Sequence, residues 1–246
     1  MKKKNICIIA AVLLVDPKND MKKKNICIIA AVLLVALAVV LYFVLRDDGE
    51  AATTFDPSMT VVEDSARGLK LISLDTIAGA YVEDGSDAVS ENIFTALFQN
   101  AGGSTLQLAN AVITINGTEY RFDITTLPPG AQVRVMEKDK KQMPETFESC
   151  TLSAENIIWF ESEPSLCEDR FEIIERSGGL VVTNISDETV SAPIYLFYKN
   201  YDGEIYIGGI TYMTTVEKSL APGESVAVVA GHFIPGSSKL MYVYVP

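Results

Sequence analysis

Residues 180–230 read LVVTNISDETVSAPIYLFYKNYDGEIYIGGITYMTTVEKSLAPGESVAVVA, and residues 96–138 read ALFQNAGGSTLQLANAVITINGTEYRFDITTLPPGAQVRVMEK. The two stretches carry the same signals in the same order. Each has an apolar run ending at an asparagine, Asn100 or Asn184, then a small polar turn and a long run of β-branched and aromatic residues. A glycine-containing turn, a further run and the pattern L-x-P-G-x-x-V-x-V follow. The glycine turns are Asn116-Gly117 and Asp202-Gly203, dipeptides that close hairpins because these residue types tolerate positive φ. Leu127-Pro128-Pro129-Gly130 leads into Val133 and Val135, and Leu220-Ala221-Pro222-Gly223 into Val226 and Val228. Proline and glycine form the turn, and valines two apart put one face of a strand into a core. A spacing of about 90 residues predicts tandem domains, because solenoid units are shorter.

Outside these stretches Val, Ile, Thr, Tyr and Phe still dominate the apolar positions and no long helical stripe runs through residues 60–246. The expected fold class is therefore mainly β: two immunoglobulin-like antiparallel β-sandwich domains, at 60–143 and 150–246, preceded by a polar linker at 47–59. Each domain has a length that can bury its own core.

Residues 26–45, ICIIAAVLLVALAVVLYFVL, lie between Lys22-Lys23-Lys24 and Arg46-Asp47-Asp48. A helix of that length spans a hydrocarbon core of about 30 Å at about 1.5 Å rise per residue, so 21–46 is expected to be a basic cap and transmembrane anchor. Lysines before the run and acidic residues after it place the N-terminus in the cytoplasm and the remainder outside. The run continues past Ala36-Leu37-Ala38, where a cleaved signal peptide would already be polar, so the expectation is an uncleaved signal anchor. Residues 1–15 repeat 21–35 letter for letter, with DPKND between them. The first copy is too short to cross a membrane and is cut by Asp16-Pro17, which reads as a duplicated or spurious extension, 1–20, with Met21 as the working start.

The chain holds 20 Lys and Arg against 32 Asp and Glu. Residues 1–46 contain eight of the basic and two of the acidic residues, which leaves 12 against 30, or −18, beyond the anchor. Such a surface repels phosphate backbones, so nucleic acid is excluded as a partner.

Few residues offer chemistry. His232 is the only histidine and no nucleophile motif accompanies it, so a structural role is expected. Cys150 and Cys167 bracket Trp159 in a segment expected to be exported, where they either form a disulfide or remain thiols. The oxygen-rich turns Glu83-Asp84-Gly85-Ser86-Asp87 and Asp202-Gly203-Glu204 lack the ligand order of a calcium loop and read as solvated turns, so no metal or cofactor is expected. Glu161, Glu163, Glu168 and Asp169 could supply a hydrolase acid and base, but acidic pairs are common in so acidic a chain. The tyrosines are the strongest binding candidates: Tyr195, Tyr198, Tyr206, Tyr212, Tyr242 and Tyr244, with Tyr201 among them. Tyr242 and Tyr244 share one face of the last strand. Aromatic rows of this kind fill cores or anchor partners.

The stretch VVTNISDETV…YKNYDGEI…LAPGESVAV resembles the FxLYD and CARDB types of bacterial extracytoplasmic module, over the last 70 or so residues and more loosely over 96–138. The layout of anchor, linker and paired β-domains is similar to that of anchored surface proteins of Gram-positive bacteria. The resemblance implies a non-enzymatic interaction or assembly module, with the lipid bilayer and an envelope protein as partners. Carbohydrate or cell-wall binding by the tyrosines is the alternative, and an acid/base hydrolase a more distant one. Fold alone transfers no site residue.

Overall fold

The computed structural model describes residues 60–62, 68–146 and 149–246. The expected extension, anchor and linker lie outside these residues, and among the described residues no helix is long and apolar enough to cross a membrane. The chain is mainly β. Its strands are β1 (Thr60–Val62), β2 (Leu69–Tyr81), β3 (Ala88–Asn100), β4 (Leu106–Ile115), β5 (Thr118–Leu127), β6 (Gln132–Met136) and β7 (Ser149–Trp159), then β8 (Phe171–Arg176), β9 (Gly179–Asn184), β10 (Ile194–Asp202), β11 (Ile205–Val216), β12 (Ser225–Val229) and β13 (Ser238–Tyr244).

Pairing extends the internal repeat well beyond the two quoted stretches. In β2 to β7, β3 pairs with β2 and β6, and β4 pairs with β5 and β7. In β8 to β13, β9 pairs with β8 and β12, and β10 pairs with β11 and β13. Every one of these pairings is antiparallel, so each six-strand repeat folds as two small sheets with a core between them. The first core holds Leu69, Phe94, Phe98, Phe122 and Ile124, and the second holds Phe171, Leu180, Val182, Leu196 and Tyr198.

The boundary between the repeats differs from the expected break between 143 and 150. Strand β7 aligns Cys150 with Ile115 and Ala154 with Ala111 of β4, and it buries Cys150, Leu152 and Ala154 in the first core. The second repeat therefore begins after Trp159, at Phe171. Pro144 and the polar residues around it mark a loop within the first repeat rather than a junction, because a turn signal carries no information about which sheet the next strand joins.

Nor are the repeats two separate beads. The described residues fall within one compact unit. Strand β11 runs parallel to β6, with Tyr206 opposite Val133, and this fuses the β13-β10-β11 sheet of the second repeat to the β6-β3-β2 sheet of the first as one six-stranded sheet. The remaining sheets pack on its opposite faces. Thr211 Oγ1 of β11 donates to Thr125 O of β5 (3.3 Å), whereas Thr214, three residues on and so on the other face, donates to Val229 O of β12 (2.7 Å).

The repeated asparagines explain why the L-x-P-G turn recurs. Asn100 Nδ2 donates to Ser104 O (2.9 Å) and Leu127 O (2.7 Å), its Oδ1 accepts from Gly102 N (2.9 Å), and its backbone O accepts from Gly130 N (2.8 Å). Asn184 Nδ2 donates to Glu188 O (2.8 Å) and Leu220 O (2.9 Å), its Oδ1 accepts from Ser186 N (3.0 Å), and its backbone O accepts from Gly223 N (2.8 Å). A buried carboxamide with its donors and acceptor satisfied pins the end of one strand to the turn that starts another.

Candidate functional site

Strands β11, β10 and β13 lie side by side in that order, and their pairing sets residues on the face away from the second core into a grid. One row is Thr215, Tyr195 and Tyr244; the next is Met213, Phe197 and Tyr242. Alternation along β10 explains the placement: Ile194, Leu196 and Tyr198 are buried inward, which turns Tyr195 and Phe197 outward. Phe197 and Tyr242 stack at 4.2 Å between ring centroids and 11° between planes, and Tyr195 and Tyr244 at 6.2 Å and 22°. Phe160, in the connector between the repeats, meets Tyr242 edge to face at 5.4 Å. Met213 and Tyr244 are 52 % and 53 % exposed, so each row reaches solvent at one end.

The first repeat does not need such a face. Counting back five residues from the residue that closes the hairpin, Asp202 in one repeat and Ile115 in the other, leads to Phe197 and Asn110. Phe197 is flanked by Met213 and Tyr242, but Asn110 is flanked by Asp123 and Glu155 and donates to Asp123 Oδ1 at 2.7 Å. The fold thus accepts polar residues at the positions where the second repeat carries aromatic ones.

Of the six tyrosines singled out from sequence, Tyr195, Tyr242 and Tyr244 lie in the grid. Tyr198 is buried in the second core, and Tyr212 faces it at 5.6 Å on the opposite side of the sheet from the grid. Burial, with the carboxylates of Asp87 and Glu83, pushes the Tyr212 phenol up to about 12. Tyr206 is buried against the first core. Together with Tyr201 it lines an open cleft of about 740 Å³, where Pro128 and Pro129 of one repeat meet Glu204, Lys239 and Leu240 of the other.

The join between the repeats holds a site the sequence reading missed. Four residues of β11, Gly208 to Thr211, stand opposite the single residue Lys199 of β10. This bulge leans on β5 so closely that a Cβ on Gly209 would come within 1.8 Å of Asp123 O. Lys199, which has no exposed surface, fills the gap and donates from Nζ to Ile210 O (2.7 Å), Gly209 O (2.9 Å) and Thr125 O (3.1 Å). Three acceptors match the three hydrogens of an ammonium. Glu83, from the β2–β3 loop, accepts from Gly209 N (2.9 Å) and Met136 N (3.0 Å). Desolvation pushes Lys199 down to about 7 against the pull of Glu83, and raises Glu83 against its N–H donors and Lys199. A lysine in YKNY gives no sign of this in sequence. The one available signal was Gly208-Gly209, which reads as a bulge.

The remaining candidates have structural partners. His232 Nε2 lies 3.0 Å from Asp87 Oδ2 and its ring stacks on Tyr212 at 4.5 Å, so it ties the β12–β13 loop to the β2–β3 loop. Lys140 pairs with Asp84 at 2.7 Å and holds that carboxyl well below its usual range. Glu163 accepts from Thr105 Oγ1 at 2.5 Å. Among the described residues no group of three or more histidines, cysteines or carboxylates gathers to hold a metal. Cys150 and Cys167 are both free thiols: Cys150 lies in the first core, where burial raises its pKa, and Cys167 packs against the second. The disulfide alternative is not what the structure contains.

No protein-family model matches this chain, and no curated protein does either.

Proposed function

We propose that this chain is a non-catalytic interaction module, anchored by its N-terminal segment in a cell membrane and holding two fused immunoglobulin-like repeats of the FxLYD and CARDB kind outside it. The aromatic grid is the surface that meets an envelope protein. What supports this reading is the contrast between repeats: Phe197, Met213 and Tyr242 stand where the first repeat has Asn110, Asp123 and Glu155. An apolar row that folding does not require, ending in half-exposed Met213 and lying beside half-exposed Tyr244, has the composition of an interface core.

Carbohydrate binding is the weaker alternative. A sugar ring needs the flat face of an aromatic side chain, and the 4.2 Å stack of Phe197 on Tyr242 turns those two ring faces toward each other and presents edges. Edges and methionine suit the packing of protein side chains.

The test places a photo-activated crosslinker at Tyr244 or Met213 of the full-length chain in its own cells, with Ile174 on β8, 46 % exposed, as the control position. One defined protein captured from positions 244 and 213 and not from 174 supports the reading. The same products from all three positions, or only wall glycan, count against it.

A further inference from the structure

We infer that the chain associates with a second copy of itself through β12, paired antiparallel to β12 of that copy about Ala227. The inference is independent of the aromatic grid and starts from the sheet edges. Strand β2 is interrupted by two bulges. At β13, Val243 N is taken by Ser165 O of the connector. Strand β8 exposes Glu172, Glu175 and Arg176. On β5, Arg121 N donates to Glu137 Oε1 (3.1 Å), Arg121 O accepts from Lys138 N (2.8 Å), and Glu119 O accepts from Lys141 Nζ (2.7 Å). Bulges, charges and covering groups are the devices that keep an edge strand from pairing.

Strand β12, Ser225-Val226-Ala227-Val228-Val229, carries a single covering group, the Thr214 hydroxyl on Val229 O, and a carbonyl with two lone pairs can still accept from an added strand. It is uncharged, unbulged and regular against β9, and Val229 is 83 % exposed. Its equivalent in the first repeat is β6, seven residues before whose last residue stands the same proline-glycine turn, and β6 has its outer edge filled by β11. The second repeat thus presents the edge that the first repeat uses for strand addition. The equivalent of β11 is β5, and its charges and covering groups close off head-to-tail addition of a copy.

The outward groups of β12 suit its own likeness. Asn184 N bonds Glu224 O and Ala230 N bonds Gly178 O, so by antiparallel alternation the N–H and C=O groups of Ser225, Ala227 and Val229 point away from β9. These three positions are symmetric about Ala227. A two-fold pairing sets Ala227 against Ala227 and Ser225 against Val229, and it joins two three-stranded sheets into one of six. The nearest flanking charge, Glu224, is already paired with Lys218 and accepts from Ala221 N (2.9 Å), which removes like-charge repulsion across the join. A symmetric, isologous contact of this kind closes on itself as a dimer.

Cysteine crosslinking of the full-length chain in native membranes tests the register. In the proposed pairing the two Ala227 Cα atoms lie about 5.5 Å apart, within disulfide reach, while the two Ser225 Cα atoms are about 14 Å apart. Oxidation of Ala227→Cys should give a dimer on the order of fivefold above the unsubstituted chain, Ser225→Cys should give none above that background, and Ser225→Cys with Val229→Cys should restore it. Ala227→Lys, at an exposed side chain, should leave thermal melting unchanged and shift the purified chain from dimer to monomer in sedimentation. Equal crosslinking at 225 and 227, capture of a different protein by Ala227→Cys, or a monomeric unsubstituted chain at every concentration would each overturn the inference.

Discussion

Replacing Lys199 by methionine keeps much of the side-chain length and removes an ammonium from a fully buried polar site. Three carbonyls lose a donor. Thr125 O still receives Thr211 Oγ1 at 3.3 Å and Gly209 O still receives Thr125 Oγ1 at 2.9 Å, so the loss falls mainly on Ile210 O. An unmet buried acceptor costs about 1–3 kcal/mol. Glu83 keeps its backbone N–H donors and loses only the through-space attraction of the ammonium, a smaller addition. Methionine returns part of this, because it carries no desolvation penalty. The expected net loss is about 2 kcal/mol, a large share of a typical total of about 5–15 kcal/mol. At a urea slope of about 3 kcal/mol per molar, the midpoint should fall by about 0.7 M. The single tryptophan, Trp159, packs on the first core and reports the transition by fluorescence. Adding Glu83→Gln should recover part of the loss, since a neutral amide still accepts from Gly209 N. A midpoint shift below about 0.3 M, or strict additivity of the two substitutions, would refute the role given to the pair.

The same pair sets a pH signature. Lys199 titrates near 7 folded and near 10.5 unfolded, so the unfolded chain binds the extra proton between those values and stability should rise with pH across that window. The carbonyl cage limits the rise to less than the roughly 5 kcal/mol that the full shift would give. Urea midpoints from about pH 7 to 8, below the range where unfolded cysteine and tyrosine ionise, should climb in the parent relative to Lys199→Met. Asn184→Ala should cost about 2–4 kcal/mol through loss of the contacts to Glu188 O, Leu220 O and Ser186 N, and Asn184→Asp should cost more because it faces two carbonyls with a carboxylate; equal melting of the two variants would contradict the clamp. Gly209→Ala should lower the melting temperature by several degrees, since its Cβ meets Asp123 O and the backbone of β5 or β11 has to move. By contrast Met213→Lys and Tyr244→Lys, at exposed positions, should change stability by less than about 0.5 kcal/mol while abolishing the crosslinked partner.

Much of the local structure was legible along the chain. The dipeptides Asn116-Gly117 and Asp202-Gly203 close the β4–β5 and β10–β11 hairpins, strands end at Asn100 and Asn184, and both L-x-P-G turns lead into the strands expected after them. The shared face of Tyr242 and Tyr244 follows from the alternation of a strand. Tyr198 and Tyr206 could not be separated from these by composition: a tyrosine in a core and a tyrosine on an outer face have the same neighbours in sequence, and only the direction of the sheet tells them apart. The placement of β7 in the first repeat was hidden for a similar reason, because its alternation fits either core.

Sequence by itself therefore determined the strands, the hairpins and the duplication, since each depends on residues within a few positions of one another: turn glycines, period-two valines and a recurring asparagine. Tertiary structure decided the rest. The parallel contact of β11 with β6 brings Tyr206 to Val133. The bulge at Gly208 turns Lys199, which simple alternation after buried Tyr198 would send to the surface, into a buried cation joining three strands. Both depend on groups far apart in the chain that meet only when two cores have formed and their sheets are set edge to edge, and no local pattern records that meeting.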